Sequence, residues 1–392
     1  MSKTVFVIGC NGYIGHPLVQ RLLFKKWNVI GIDNLLKEKQ IKEAGDISAI
    51  PSNLNFSERE EKLKKIGNYE QYKYDLAQNL EEISSLIQEY KPKAIFNLAH
   101  IPSAPYSMIS KDHANLTLMN NIIGTNNLLW DITRHSPHTH YITISSTGTY
   151  DHYCNINIEE GYFKIEHNGR KSEDLVFPRK GNSIYHTSKI SNTYLIEYLT
   201  RIWGLKATDV MQSVVYGSYT DEIHKSEINT RLLGGDTHGT VINRFTIQAV
   251  TGVPLTVYGE GKHQRGIISL NDSIQALEIA LENEPENGQA RVWNQLSEWY
   301  SMNELAEMVK EVGNRKGLDI DIEHIETPRP EYTGDHYYHY KTDILESLGY
   351  RPTRSIEQEV DYTMDKIDTM LVPELRKIVS RPTFSWRKKN EN

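Results

Sequence analysis

Cysteine is almost missing from this chain: 392 residues hold only two, Cys10 and Cys154. Two cysteines build neither a disulfide framework nor a zinc site, and no His/Cys/Asp group has metal-ligand spacing, so no metal is expected. Long hydrophobic runs are lacking too. Nothing approaches the roughly 20 apolar residues that span a bilayer. No signal-peptide pattern precedes the apolar run that begins at Thr4, and a cytoplasmic protein is expected. Positive charge is not in excess. The formal net charge of −7 disfavours nucleic acid and anionic membrane as partners. Repeats and low-complexity tracts are absent. The remaining class is a soluble chain long enough for one large α/β domain and a smaller one.

The most informative stretch present is Gly9-Cys10-Asn11-Gly12-Tyr13-Ile14-Gly15. It follows the apolar run 4–8 and precedes an amphipathic stretch, so it reads as strand, tight turn, helix. A helix starting there aims unpaired N–H groups and the positive end of its dipole at whatever lies over the turn. Glycine lets a pyrophosphate approach the backbone. A second apolar run, 28–32, ends at Asp33. A carboxylate there accepts hydrogen bonds from both hydroxyls of an adenosine ribose and repels a 2′-phosphate. The cofactor expected is therefore NAD rather than NADP.

Strand-like runs recur at 4–8, 28–32, 72–74, 94–98, 141–144 and 207–211, with helical patterns between most of them, for example 112–134 and 183–202. Such alternation predicts a doubly wound parallel α/β sheet of Rossmann type. After about Gly217 short strands (255–258, 266–270, 292–294) alternate with helices, which predicts a smaller C-terminal α/β domain. The division expected is 1–215 for the dinucleotide domain, carrying an insertion at 34–70, and 216–392 for the second domain, with some segments exchanging between them. The insertion contains a charge-rich helix at 57–65 and reads either as a flap near the cofactor or as a surface loop. Ser301 with Glu304 forms a capping box. The stretch 219–240 reads as a loop over the cleft.

The Gly-x-x-Gly-x-x-Gly spacing resembles that of extended short-chain dehydrogenase/reductases acting on nucleotide sugars, and that resemblance calls for a Tyr-x-x-x-Lys pair. Tyr185-His186-Thr187-Ser188-Lys189 supplies it. Residues i and i+4 of a helix share a face. An ammonium beside a phenol, with a positive nicotinamide nearby, favours phenolate and lowers a pKa ordinarily near 10. Tyr185 then serves as the base for a sugar hydroxyl. The same resemblance implies that Ser146, at the end of the 141–144 run, binds the reacting oxygen, with Thr147 beside it. To the cofactor it gives Gly9, Asn11, Gly12, Tyr13, Ile14, Gly15, Asp33, Asn34, Asp75, Leu76, Leu98, Ala99, Asn121, Tyr185, Lys189, Gln212 and Val215. Asn121 can equally be a buried helix amide bonded to neighbouring backbone.

Further stretches narrow the resemblance. They are Ser103-Ala104-Pro105-Tyr106-Ser107-Met108-Ile109, Asn157-Ile158-Glu159-Glu160-Gly161-Tyr162, His167-Asn168-Gly169-Arg170, Ala207-Thr208-Asp209 through Gln212 to Val214-Val215-Tyr216-Gly217, Leu255-Thr256-Val257-Tyr258-Gly259, His336-Tyr337-Tyr338 and Pro382-Thr383-Phe384-Ser385-Trp386. Together and in order they resemble the UDP-sulfoquinovose synthases almost end to end. What that resemblance implies is a redox-neutral reaction on one retained NAD⁺. Tyr185, with Ser146 and Lys189, oxidises C4 of UDP-glucose. The ketone acidifies C5, the C6 hydroxyl leaves, sulfite adds to the 5,6-ene, and C4 is reduced again.

The resemblance also implies UDP-sugar contacts from Ser146, Thr147, Gln212, Asn243, Arg244, Thr256, Val257, Tyr258, Arg265, Arg329 and Glu331. Arginine suits a diphosphate because its fork donates two parallel bonds. It implies a homodimer through 112–134 and 183–202, and leaves open whether sulfite arrives free or from a delivering partner protein. At two places the chain departs from its relatives. Thr147 and Gly148 stand where 6-hydroxyl-eliminating dehydratases carry Asp-Glu, which leaves Tyr185, or His186 through water, as the C5 base. Ile101-Pro102 replaces the Gln-Arg of plant sulfoquinovose synthases, with His100 just upstream. The alternatives are a UDP-glucose 4-epimerase, another NAD-dependent nucleotide-sugar epimerase or dehydratase, and a non-catalytic NAD-binding scaffold.

Overall fold

The computed structural model describes residues 3–50, 54–150, 157–327 and 339–380. Seven parallel strands form its main sheet: β1 (Thr4–Ile8), β2 (Asn28–Ile32), β3 (Tyr69–Tyr72), β4 (Ala94–Asn97), β5 (His140–Ser146), β6 (Lys206–Gln212) and β7 (Ala290–Gln295). Their order is β7-β6-β5-β4-β1-β2-β3, and every pairing is parallel. All five residues of β1 are buried, as expected of a strand covered on both faces. Helices cover each face. Leu18 and Leu22 of α1 (Gly15–Phe24) pack on one side with Ile274 and Leu277 of the helix Leu270–Glu282. Ile83, Leu128, Ile132, Ile196 and Leu199 pack on the other. The strand order reverses between β1 and β4, which run parallel, and the crevice outside their carboxyl ends is where doubly wound sheets bind ligands.

Some elements lie elsewhere than their patterns predict. The third strand is Tyr69–Tyr72, not 72–74. It starts where Tyr69 pairs with Val29 and finishes where Tyr72 pairs with Ile32. The 112–134 helix is broken into Lys111–Leu118, a π-helical turn Met119–Ile123, and Gly124–His135. The widened turn carries Asn121. Strand 292–294, grouped by its pattern with the second domain, is part of β7 and extends the large sheet beside β6. Its Trp293 is buried in the core shared with α1 and the helix Leu270–Glu282, so apolar burial rather than chain order decides its place. The insertion helix α2 (Phe56–Lys64) carries an i,i+4 ion pair, Glu60–Lys64.

A smaller layer contains a three-stranded sheet (Val214–Tyr216, Gln264–Ser269, Glu298–Ser301) and the pair Leu255–Tyr258 with Ile322–Ile325. Phe245, Val257, Leu305, Val309 and Val360 form its core. The capping box at Ser301 forms, with both reciprocal bonds to Glu304. Among the described residues no helix is long and apolar enough to cross a membrane.

Candidate active site

The glycine turn is shaped by its neighbours. Gly9 has φ +84°, and its N–H donates to Ile32 O at 2.7 Å. A Cβ on Gly15 would stand 2.0 Å from Gly9 O, so α1 begins in contact with the turn. Asn11 is held from several directions. Its N–H donates to Asp33 Oδ2 at 2.9 Å. Arg59 of α2 donates to its side-chain oxygen, and Arg231 Nη2 donates to its carbonyl at 3.0 Å and to Glu38 Oε1 at 2.6 Å. The insertion therefore grips the turn through buried Arg59, and Leu36, Lys37 and Gln40 of the same segment line the cleft. Asp33 also accepts from Leu35 N at 2.8 Å. Burial pushes its carboxyl up, against the pull of those two backbone bonds and of Arg231.

One cavity of about 490 Å³ collects most of the expected residues. Gly9, Gly12, Tyr13, Ile14, Gly15, Asp33, Asn34, Leu98, Ala99 and Val215 line it, as do Ser146, Thr147, Tyr185, His186, Lys189, Gln212, Asn243, Arg244, Tyr258 and Arg265. Ser146 terminates β5, and Tyr185 and Lys189 project from the helix Ile184–Trp203, whose first turn is capped by Ser183. Tyr185 and His186 rings lie 5.0 Å apart. Burial pushes the Tyr185 phenol up to about 12, and a hydrogen bond with Ser146 pulls the other way. Burial brings the Lys189 ammonium down to about 7, with Asp209 opposing. Its Nζ lies 5.9 Å from the centre of the Tyr185 ring. The expected lowering of the phenol is thus not seen in the protein by itself. Burial outweighs it, because the same burial discourages the charge on Lys189 that would do the lowering.

Other expected residues lie off the cavity wall. Asp75 accepts from Asn34 Nδ2 at 2.8 Å and from Ala77 N at 2.8 Å, so it steadies a lining residue. Leu76 is buried in the core beneath Gly124. Asn121 is buried, accepts from Ile101 N at 2.8 Å and donates to Ser188 Oγ at 2.9 Å. It ties the loop after β4 to the Tyr185 helix. Thr256 accepts from Gln248 Nε2 at 2.8 Å and Val257 is wholly buried among apolar side chains. Neither lines the cleft, since Thr256 is taken up by Gln248 and Val257 by the second layer's core; Tyr258 does. Gln212 lines the cleft but donates to Ser273 Oγ at 2.6 Å and Gln295 Oε1 at 2.9 Å. Arg244 donates to the Tyr258 hydroxyl and lies 4.3 Å over that ring. Arg265 donates to Gln264 O at 2.9 Å. Arg329 and Glu331 lie outside the described residues, with 336–338, 382–386 and Cys154.

Sequence reasoning missed Arg59, Arg231, Lys37 and His238. Lys37 Nζ is 3.0 Å from His238 Nδ1, and both line the cleft. Only the mixed charge of the insertion and the Gly/Thr-rich stretch 219–240, which holds the short helix Asp221–Ser226 where a loop was expected, signalled them.

The NAD-dependent epimerase/dehydratase family model matches residues 5–294. A UDP-sulfoquinovose synthase of Sulfolobus acidocaldarius is 37% identical over 386 residues, 98% of each chain. The chloroplastic UDP-sulfoquinovose synthase of Spinacia oleracea is 34% identical over 98% of this chain and 80% of its own. In fold the chain is similar to a UDP-glucuronic acid 4-epimerase of Bacillus cereus solved with UDP-glucuronic acid and NAD, with a TM-score of 0.68 at 20% identity, covering 94% of this chain and 99% of that one.

Proposed function

The chain belongs to the NAD-dependent epimerase/dehydratase family and, within it, to the UDP-sulfoquinovose synthases, and from that membership we infer how its cleft makes UDP-sulfoquinovose from UDP-glucose. The observation that carries the reading is the meeting of the glycine turn, Asp33, Ser146, Tyr185 and Lys189 in one cavity.

The residues present fit NAD. The turn Gly9–Gly15 offers backbone N–H groups at the start of α1. Asp33 keeps a lone pair on each oxygen beyond its bonds to Asn11 and Leu35, enough for two ribose hydroxyls. Asn34, Leu98, Ala99, Tyr185 and Lys189 complete the candidate contacts. When bound, NAD⁺ supplies an acceptor for the C4 hydrogen and keeps it for return.

Tyr185 takes the C4 hydroxyl proton, and Ser146 donates to the same oxygen as it becomes a carbonyl. His186, through water, removes the proton at C5, now acidic beside the ketone, because Tyr185 already holds the C4 proton, and passes it to the departing C6 hydroxyl. The C6–O bond breaks and water leaves. Sulfite forms the C–S bond at C6, C5 regains a proton, and Tyr185 returns its proton to the C4 oxygen. Asn243, Arg244, Tyr258 and Arg265 are proposed for the UDP moiety, supported by their place in the same cavity. Two chains are proposed to pair through the helices at 111–135 and 184–203. Exposed Ile123, Tyr194, Tyr198, Ile202 and Trp203 support this, and sedimentation at the mass of a single chain would remove it.

Incubation with UDP-glucose and isotopically labelled sulfite tests the function. Mass spectrometry should find a labelled nucleotide sugar only when sulfite is present. UDP-galactose with no sulfonated product would make the protein an epimerase instead.

A further inference from the structure

Lys189 has a neighbour that the reaction described above does not use. Its Nζ lies 2.6 Å from Nδ1 of His100 and also donates to Ile144 O. His100 stands in the loop after β4, half-buried, with its Nε2 3.0 Å from Thr125 Oγ1 and 3.3 Å from Asn192 Nδ2. We propose that His100 is a positioning residue for Lys189, holding the charged amine in the cleft by accepting one ammonium hydrogen at Nδ1. The proposal rests on the Tyr185–Lys189 reading above.

A buried ammonium has three hydrogens to place, and leaving them unbonded in a dry site disfavours the charge. Ile144 O takes one. His100 Nδ1 takes a second, provided the ring is neutral and carries its proton at Nε2, where Thr125 Oγ1 stands to accept it while Asn192 Nδ2 donates to Asn121 O at 2.9 Å instead of to the ring. The ring does stay neutral: burial and then Lys189 itself hold the imidazolium far below its ordinary range. Few other ionisable groups face this pair. Asp209 of β6 favours the ammonium and is itself beside Arg179. Tyr185 lies one turn away on the same helix. Tyr141 of β5 is linked only through Asn97, which donates to Thr125 at 3.2 Å. His100 is therefore the one side chain among the described residues bonded to the Lys189 amine, in a loop where the neighbouring Ile101 and Pro102 have no polar side chain to offer.

The pH dependence follows in sign. The charged form of Lys189 is present below its pKa and is lost as pH rises through it. Removing an acceptor of the charged form lowers that pKa, so the alkaline fall in activity moves to lower pH. The test mixes the full-length, cofactor-loaded protein rapidly with UDP-glucose, without sulfite, and follows nicotinamide absorbance from about pH 6 to about pH 9. His100→Ala should move the alkaline midpoint down by about one unit, a loss of about tenfold in rate above the midpoint, with KM for UDP-glucose unchanged. His100→Asn, whose Oδ1 can accept the same bond, should restore the midpoint. If His100→Ala does not fold, Thr125→Val, which releases the ring's other nitrogen, should move the midpoint the same way by less. An unmoved midpoint in the folded variants overturns the proposal, as does an equal shift in the Ala and Asn variants. Tyr185→Phe run alongside separates the two ideas: if it reacts normally, the Tyr–Lys reading fails rather than the part given to His100.

Discussion

Tyr185→Phe removes the first oxidation: on mixing with UDP-glucose the rise in nicotinamide absorbance falls by about a thousandfold or more, within the range set by loss of a general base. Burial pushes the phenol up to about 12, so the neutral form prevails at neutral pH. The protein by itself keeps its base quiet. Positive charge must enter the cleft before Tyr185 ionises readily, and the Lys189 ammonium and the nicotinamide ring are the two sources. Phenylalanine keeps the ring's packing and loses only the hydroxyl, so folding and UDP binding should stay near wild type. A variant that oxidises UDP-glucose at an undiminished rate would take the base away from Tyr185.

Gly15→Ala has the next largest effect. The added Cβ meets Gly9 O at 2.0 Å. That atom is backbone and cannot swing aside, so the turn must open or α1 must shift. Overpacking of this kind costs about 1–3 kcal/mol or more, and the N–H cradle at the helix start is distorted with it. The expected result is protein that purifies with little or no NAD and melts at lower temperature. Gly12→Ala is the comparison, because its Cβ would stand 3.1 Å from the same oxygen and needs only a small adjustment. Full cofactor content in Gly15→Ala would mean that NAD does not depend on this turn.

Local patterns were legible in the chain, and long-range ones were not. β1 and β2 run over the apolar stretches 4–8 and 28–32, and the glycine turn between them was evident because strand, turn and helix are adjacent in sequence. The i,i+4 spacing of Tyr185 and Lys189 needs only one helix to be meaningful. Arg59 and Arg231 were invisible for the opposite reason: they reach Asn11 across 48 and 220 residues, and nothing near either marks the contact. The bond between His100 and Lys189 spans 89 residues. β7 was misplaced because a short apolar strand carries no label for which sheet it joins. Asn121 was read as either a cofactor contact or a buried amide. Its bonds to Ile101 and Ser188 give it the second task, fixing the helix that carries the base.

One hydrogen is taken from C4 and given back to the same sugar. UDP-glucose carrying deuterium at C4, converted in the presence of sulfite and a large excess of unlabelled free NADH, tests it directly. The expected result is a sulfonated product that keeps its deuterium at C4, as a cofactor retained in the cleft requires. Deuterium recovered in the free nicotinamide pool, with a product bearing ordinary hydrogen at C4, would contradict it.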